Sequence, residues 1–164
     1  MKLLRRLFTP LVALGVVGAL TLAPCTANAA ENPVQDRIDA VIAEYGGEQT
    51  AANEVTWDDG AIILTVEAQS ARSAQTVSAQ TVVGTCPSGS YCAYSLANYL
   101  GSRLAFTTCT TGNSVSKLGS AVRSIANSRS SGTVSAYNGS SLVLSVSAGS
   151  GKNTTATITS LSCG

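Results

Sequence analysis

The chain has 164 residues, with ten Lys and Arg, nine Asp and Glu, and no histidine. All nine carboxylates lie between Glu31 and Glu67, and the only charged side chains from Ala68 onward are basic. Ser-His-Asp and Cys-His catalytic arrangements need a histidine base, and a glycosidase needs two carboxyl groups beside the bond it cleaves. The composition therefore argues against these enzyme classes, and we expect a protein that is not an enzyme and needs no cofactor.

The first thirty residues have the layout of an export signal. Lys2, Arg5 and Arg6 precede an apolar run over residues 11–22, and the small-residue motif of residues 27–29 follows it. The run is too short to span a bilayer comfortably as a permanent anchor. We predict that residues 1–30 are a secretory signal peptide, so that the mature protein is secreted, extracellular and without a stable membrane anchor after cleavage.

The cysteines indicate disulfide bonds. Cys25 allows a lipoprotein alternative, but Pro24 directly before it is a poor fit to lipoprotein processing. The four cysteines after the signal peptide are Cys86, Cys92, Cys109 and Cys163. An even number of cysteines in a short exported chain favours disulfides, and four cysteines allow three pairings. The five-residue gap between the first two, and the absence of histidine, argue against a zinc site.

Residues 31–68 form an acidic segment. Apolar residues recur at helical spacing from Val34 to Tyr45, and Gly46-Gly47 should end the helix. Asp58-Asp59-Gly60 between two strand-like runs indicates a β-hairpin. A hairpin is marginally stable alone, so we expect this segment to depend on the rest of the protein. It could cover the basic part as a removable pro-segment, or both parts could form one permanent globule.

The rest of the chain indicates a linker and then a β-domain. Residues 69–85 are mostly Ala, Gln, Ser and Thr and are predicted to be a linker. From residue 86 to 164 the chain has short runs rich in Val, Thr, Tyr and Leu, separated by Gly, Ser and Asn. The predicted strand runs are YCAYS, RLAFTTC, TVSAY, SLVLSVSA and TATITSLSC. Residues 114–127 look different and are predicted to hold a loop or a short helical turn.

One spacing resembles a known structural motif. Tyr94-x4-Tyr99-x-Gly101 is similar to the aromatic-x4-aromatic-x-glycine pattern of a βγ-crystallin Greek key, and Ser124 resembles the serine that closes such a motif. The resemblance implies a folded hairpin in which the aromatic rings pack over the turn. The expected fold is mainly β: a single βγ-crystallin-like Greek-key domain, preceded by a short helix and a β-hairpin.

A wider stretch resembles a family of inhibitors. CPSGSYCAYS, followed by AVRSIANSRSSGTVSAY, is similar to a bacterial family of secreted peptidase inhibitors with a βγ-crystallin-like fold, of the actinobacterial metalloproteinase inhibitor type. The resemblance covers about residues 86–137. It implies inhibition of a secreted protease, with metalloproteases first, by docking of a rigid loop. We expect the protein to be a monomer. We also expect it not to bind nucleic acid, because its basic residues are few and dispersed.

The same resemblance implies a disulfide pattern. Its first motif pairs Cys86 with Cys92, which leaves Cys109 to pair with Cys163. A pattern of Cys86–Cys109 and Cys92–Cys163 remains open from the sequence.

The inhibitory loop is not identified by the sequence. The family's type member holds its loop with a second close cysteine pair, and no cysteine lies between Cys109 and Cys163 here. Two Gly/Ser-rich segments, residues 137–141 and 147–153, are candidates, with an ordinary hairpin turn as the alternative for each. The reactive loop is thus unknown at this point.

Two other functions compete with inhibition. One is calcium binding, because Asn127, Ser130 and Ser131 match a box that binds calcium in βγ-crystallins. That box has Ala126 where an Asn or Asp belongs, and calcium prefers carboxylate and carbonyl oxygens. The other is a non-inhibitory envelope or partner-binding module, which the richness in Ser, Thr and Gly would suit.

Overall fold

A computed structural model describes residues 32–67 and 83–164. The predicted signal peptide and nearly all of the predicted linker lie outside the described residues. The described chain contains one α-helix and eleven strands, arranged in two antiparallel sheets. The prediction of a mainly β fold is therefore confirmed.

The elements follow one another in short segments. The helix α1 spans Pro33–Tyr45, and the strands are β1 Glu48–Ala51, β2 Glu54–Trp57, β3 Ile62–Thr65, β4 Tyr91–Tyr94, β5 Arg103–Phe106, β6 Asn113–Ser114, β7 Ser124–Asn127, β8 Thr133–Asn138, β9 Ser141–Ser147, β10 Ser150–Asn153 and β11 Ser160–Cys163. The larger sheet has the order β1-β2-β3-β5-β4-β7-β10, and the smaller has the order β6-β11-β8-β9.

The helix begins and ends at the residues that its sequence favours. The side-chain oxygen of Asn32 accepts hydrogen bonds from the N–H groups of Val34 and Gln35, at 3.2 and 3.4 Å. This N-cap satisfies amides that have no partner inside the helix. Gly46 follows the last turn with a φ of 66°, a conformation that glycine adopts without strain. The apolar face then buries Ile38 and Val41 in the core.

The acidic segment is part of the larger sheet. β3 pairs with β2 on one side and with β5 on the other, so that Leu64 lies opposite Leu104. The predicted hairpin around residues 58–60 is present, with a short 3₁₀ turn there. β1 extends it to three strands, which the sequence did not predict. Residues 31–164 form one compact unit by their contacts.

The centre of the larger sheet is buried on both faces. Tyr91 and Ala93 of β4 belong to the main core cluster, which also contains residues of α1 and of the smaller sheet. Cys92 and Tyr94 of the same strand point to the opposite face, where they pack with Ala105 and Ala126. Successive side chains of a strand point to opposite faces, so every side chain of β4 is buried.

One predicted irregular segment contains a central strand. Within residues 114–127, the expected helical turn is present as a 3₁₀ turn over Ser116–Leu118. The expectation of a loop is wrong for Ser124–Asn127, which form β7 between β4 and β10. All four residues of β7 are buried. Pairing with two neighbouring strands places even Ser124 and Asn127 inside the fold, which a local pattern does not reveal.

Candidate functional site

The two tyrosines of the predicted Greek-key motif lie together. Tyr94 ends β4, and the chain then folds into a hairpin that contains a 3₁₀ turn at Ala97–Tyr99. The rings of Tyr94 and Tyr99 meet edge to face, with centroids 5.9 Å apart. This geometry is favourable for aromatic pairs. The hairpin is thereby held over the buried cluster on the other face of the larger sheet. This cluster, called the second core cluster below, consists of Cys86, Cys92, Tyr94, Ala105 and Ala126.

Ser124 joins the hairpin to β7. Its hydroxyl accepts a hydrogen bond from the Tyr99 N–H at 2.9 Å and donates one to the Leu96 carbonyl at 2.7 Å. Ser124 is fully buried, so that each of these backbone groups would otherwise lack a partner away from water. One side chain thus closes the hairpin at two points.

Gly101 completes the motif. Its φ is 74°, and a Cβ at this position would lie 2.4 Å from Ser95 Oγ and 2.9 Å from Leu96 Cγ. Both the backbone conformation and the space therefore require glycine. The structure brings together the four residues that the resemblance singled out.

The disulfides adopt the pairing that the resemblance implied. Cys86 is bonded to Cys92, and Cys109 to Cys163. The first bridge is fully buried in the second core cluster. The second joins an exposed loop residue, Cys109, to the last strand of the smaller sheet, across a sequence separation of 54 residues. It therefore fixes one surface loop to the body of the protein.

The candidate calcium residues lie at the end of β7 and in the loop that follows it. Asn127 is fully buried, and its amide donates to the carbonyls of Gly132 and Val146, at 3.3 and 3.1 Å. Its side-chain oxygen accepts from the Arg129 N–H. Ser130 and Ser131 lie on the exposed loop that follows. Within residues 32–67 and 83–164, no group of three or more His, Cys, Asp or Glu side chains is placed to hold a metal ion.

The two candidate inhibitory segments contain tight turns. Gly139 and Ser140 connect β8 to β9, with Asn138 opposite Ser141 in the ladder. Ala148 and Gly149 connect β9 of the smaller sheet to β10 of the larger one, so this turn does not join paired strands. Each turn offers only two residues outside the strands, which is too short for an extended segment to project from the surface.

A different loop is exposed over six consecutive residues. Residues 107–112, with the sequence TTCTTG, connect β5 of the larger sheet to β6 of the smaller one. Cys109 lies near the middle of the loop and carries the bridge to Cys163. The run RLAFTTC predicted a strand that includes the first residues of this loop, because Thr is common in strands. The feature of the sequence that could have indicated an exposed loop here is a cysteine between polar Thr residues.

Three tyrosines have altered acidity for one main reason. Burial raises the pKa of Tyr91, Tyr94 and Tyr99 above the ordinary value of 10.0, because it disfavours the charged phenolate. Hydrogen bonds with Thr110 and Thr85 lower the pKa of Tyr91 and Tyr94 and so act against burial. These rings are neutral at physiological pH and serve as packing groups.

A shallow groove lies beside the folded hairpin. It is lined by Ala97, Arg123, Asn153, Thr154 and Thr155. Beside it the side-chain amide of Asn153 donates a hydrogen bond to the side-chain oxygen of Asn98 at 2.8 Å, which joins the hairpin to β10.

None of the helices in the described part of the chain is both long and apolar enough to cross a membrane.

Comparison with known proteins identifies a family for the central part of the chain. Curated proteins and solved structures gave no match. Residues 79–145 match the sequence model of peptidase inhibitor family I36. The match includes the folded hairpin, the loop of residues 107–112 and strands β4 to β8. The match supports the resemblance of this region to a bacterial peptidase inhibitor family.

Proposed function

We propose that the protein is a secreted peptidase inhibitor that acts by docking a loop into a protease, without catalysis of its own. The observation that carries this proposal is the family match over residues 79–145. The resemblance of the two motifs to a metalloproteinase inhibitor puts metalloproteases first among the targets. The partner is accordingly a secreted protease, and the inhibitor is a monomer.

The architecture suits binding by a preformed surface. Two disulfides and a core buried on both faces of the larger sheet fix the loops between the strands. A surface that is ordered before binding loses little conformational entropy when it docks. The absence of histidine from the sequence removes the usual base of a serine or cysteine protease, which also favours binding over catalysis.

The chain's features also suit an exported protein. Disulfides persist in oxidising compartments and are rare in the cytosol. Both bridges, together with the signal-like first thirty residues, support secretion to the same space as the target protease.

The proposal is tested with a panel of proteases of known active concentration. Mature protein, residues 31–164, is added in increasing amounts to metalloproteases and serine proteases, and residual activity is measured. We expect strong inhibition of at least one protease, with metalloproteases affected first. Full activity across the panel at high molar excess would contradict the proposal. Recovery of cell-wall material instead of a protease from culture medium would favour the envelope module.

A further inference from the structure

We propose that residues 107–112 are the segment that enters the substrate cleft of the inhibited protease. This inference rests on the proposed inhibitor function and specifies the surface that performs it. The segment, with the sequence TTCTTG, is called the bridged loop below. It differs from the two turns, residues 139–140 and 148–149, that the Gly/Ser content of the sequence indicated.

The bridged loop is anchored firmly at its first residue. The Thr107 N–H donates to the Ala61 carbonyl at 3.0 Å, and the Thr107 hydroxyl donates to the Gly60 carbonyl at 3.2 Å. These bonds continue the pairing of β3 with β5 by one residue. The loop therefore leaves the larger sheet in a fixed direction.

The far half of the loop is anchored to the smaller sheet. The Thr110 carbonyl accepts hydrogen bonds from the Cys163 N–H at 2.9 Å and from the Asn113 amide at 2.8 Å. The Gly112 N–H donates to the Ser162 hydroxyl at 2.9 Å. Cys109 is bonded covalently to Cys163. The loop is thus fixed by backbone, side-chain and covalent contacts within six residues.

Between these anchors the backbone is free to bind a partner. Among the hydrogen bonds of the described residues, none uses the backbone N–H or C=O of Thr108, Cys109 or Thr111. All three residues are exposed. Exposed backbone with free N–H and C=O groups can bond to the main chain of another protein, and affinity then comes from main-chain hydrogen bonds. A loop with fixed ends and free central amides has the form of a substrate that is already ordered.

The turns at residues 139–140 and 148–149 lack this combination of fixed ends and free amides. The Ala148 N–H donates to the Gly132 carbonyl at 3.0 Å, and the Gly149 N–H donates to the Asn127 carbonyl at 2.8 Å. Both amides of that turn are therefore already used inside the protein. The Gly139 N–H of the other turn donates to the Thr159 hydroxyl at 2.9 Å. Neither turn presents successive free amides.

The side chains of the bridged loop define the chemistry of the partner. It carries small, uncharged, β-branched Thr side chains on both sides of Cys109 and has no Lys or Arg. A trypsin-like pocket with a buried carboxylate would gain no charge partner from it. The partner is a protease whose cleft accepts an exposed loop with small β-branched side chains.

The test compares two double variants of the mature protein. Thr108→Asp with Thr111→Asp places two charges in the bridged loop at side chains that make no hydrogen bond among the described residues. Thr155→Asp with Thr157→Asp makes the same chemical change in another exposed loop and serves as the matched control. Against the protease that wild type inhibits best, the first variant should raise the inhibition constant at least tenfold. That tenfold change corresponds to about 1.4 kcal/mol of binding free energy. The inhibition constant of the control should stay within about twofold of the wild-type value.

A second measurement needs no variant. In the complex of wild type with the protease, the amides of Thr108, Cys109 and Thr111 should exchange hydrogen much more slowly than in the free protein. Protection at Ser140 instead, or equal effects of the two double variants, would overturn the assignment of the loop while leaving the inhibitor function intact. If wild type inhibits no protease in the panel, the proposed function and this inference both fail.

Discussion

At the scale of single residues, Gly101 and Ser124 determine whether the folded hairpin closes. Gly101 has a positive φ and no space for a side chain, and the Ser124 hydroxyl bonds to two backbone groups of the hairpin. The sequence predicted both positions, because the motif consists of a few residues at fixed spacing. The sequence could not show that Asn98 and Tyr99 also adopt positive φ values, of 58° and 61°. The closed hairpin imposes that conformation on them.

Glycine is required at residue 101 for two reasons, the left-handed backbone conformation and the lack of space for a side chain, and two variants can separate them. Gly101→Ala must adopt a left-handed conformation and also displace Ser95 Oγ or Leu96 Cγ. We expect it to lower the free energy of unfolding by about 2–3 kcal/mol, measured by urea denaturation. Gly139→Ala is the matched control, because its φ is 59° and no atom lies within 4 Å of the added Cβ.

The control should cost about 1 kcal/mol, the usual cost of a left-handed conformation for a residue with a side chain. Equal losses for the two variants would mean that the close contacts at residue 101 relax without cost. The motif would then depend on the backbone conformation alone.

At the scale of elements, apolar patterning located most strands that carry bulky residues and missed β7 and the polar strands. β4, β5, β8, β9 and β11 lie within predicted runs. β1 has the sequence EQTA with every residue exposed, and β10 has the sequence SGKN, so that neither shows apolar alternation. These two strands form the edges of the larger sheet. Backbone pairing with a neighbour, which no local pattern reports, is what makes them strands.

The acidic segment should be needed for folding. β3 covers the edge of β5, and Ile38 and Val41 of α1 lie in the main core. A chain of residues 83–164 would expose that edge and the apolar side chains beneath the helix, which favours aggregation. We expect this fragment to lack the cooperative urea unfolding of residues 31–164, followed by circular dichroism. A fragment that folds cooperatively and inhibits better than the mature chain would support a removable pro-segment instead.

The long disulfide should be a large part of the stability. It closes a loop with a sequence separation of 54 residues. The loop-entropy relation gives about 4 kcal/mol for such a closure. We expect Cys109→Ala with Cys163→Ala to lose about this much free energy of unfolding in urea titrations. A loss below about 1 kcal/mol would show that hydrogen bonds such as that of Cys163 N–H to Thr110 hold the loop alone.

At the scale of the whole molecule, two antiparallel sheets and one helix form a single compact unit whose loops are fixed at both ends. Fold class, family and the residues of the folded hairpin could be predicted from the sequence, since each depends on local motifs and composition. The bridged loop could not, because its anchors at Ala61, Ser162 and Cys163 are far from it in the chain. Only the assembled sheets bring these anchors to residues 107–112.

The central claim is that the molecule inhibits a protease by occupying its cleft. The most direct measurement is a titration of the most sensitive protease in the panel, at an active-site concentration well above the inhibition constant. The account predicts a linear loss of activity that ends at one mature molecule per active site. It also predicts that a small substrate analogue bound in the cleft weakens the inhibition. Activity that remains unchanged past equimolar addition, or inhibition that the analogue does not affect, would contradict the claim.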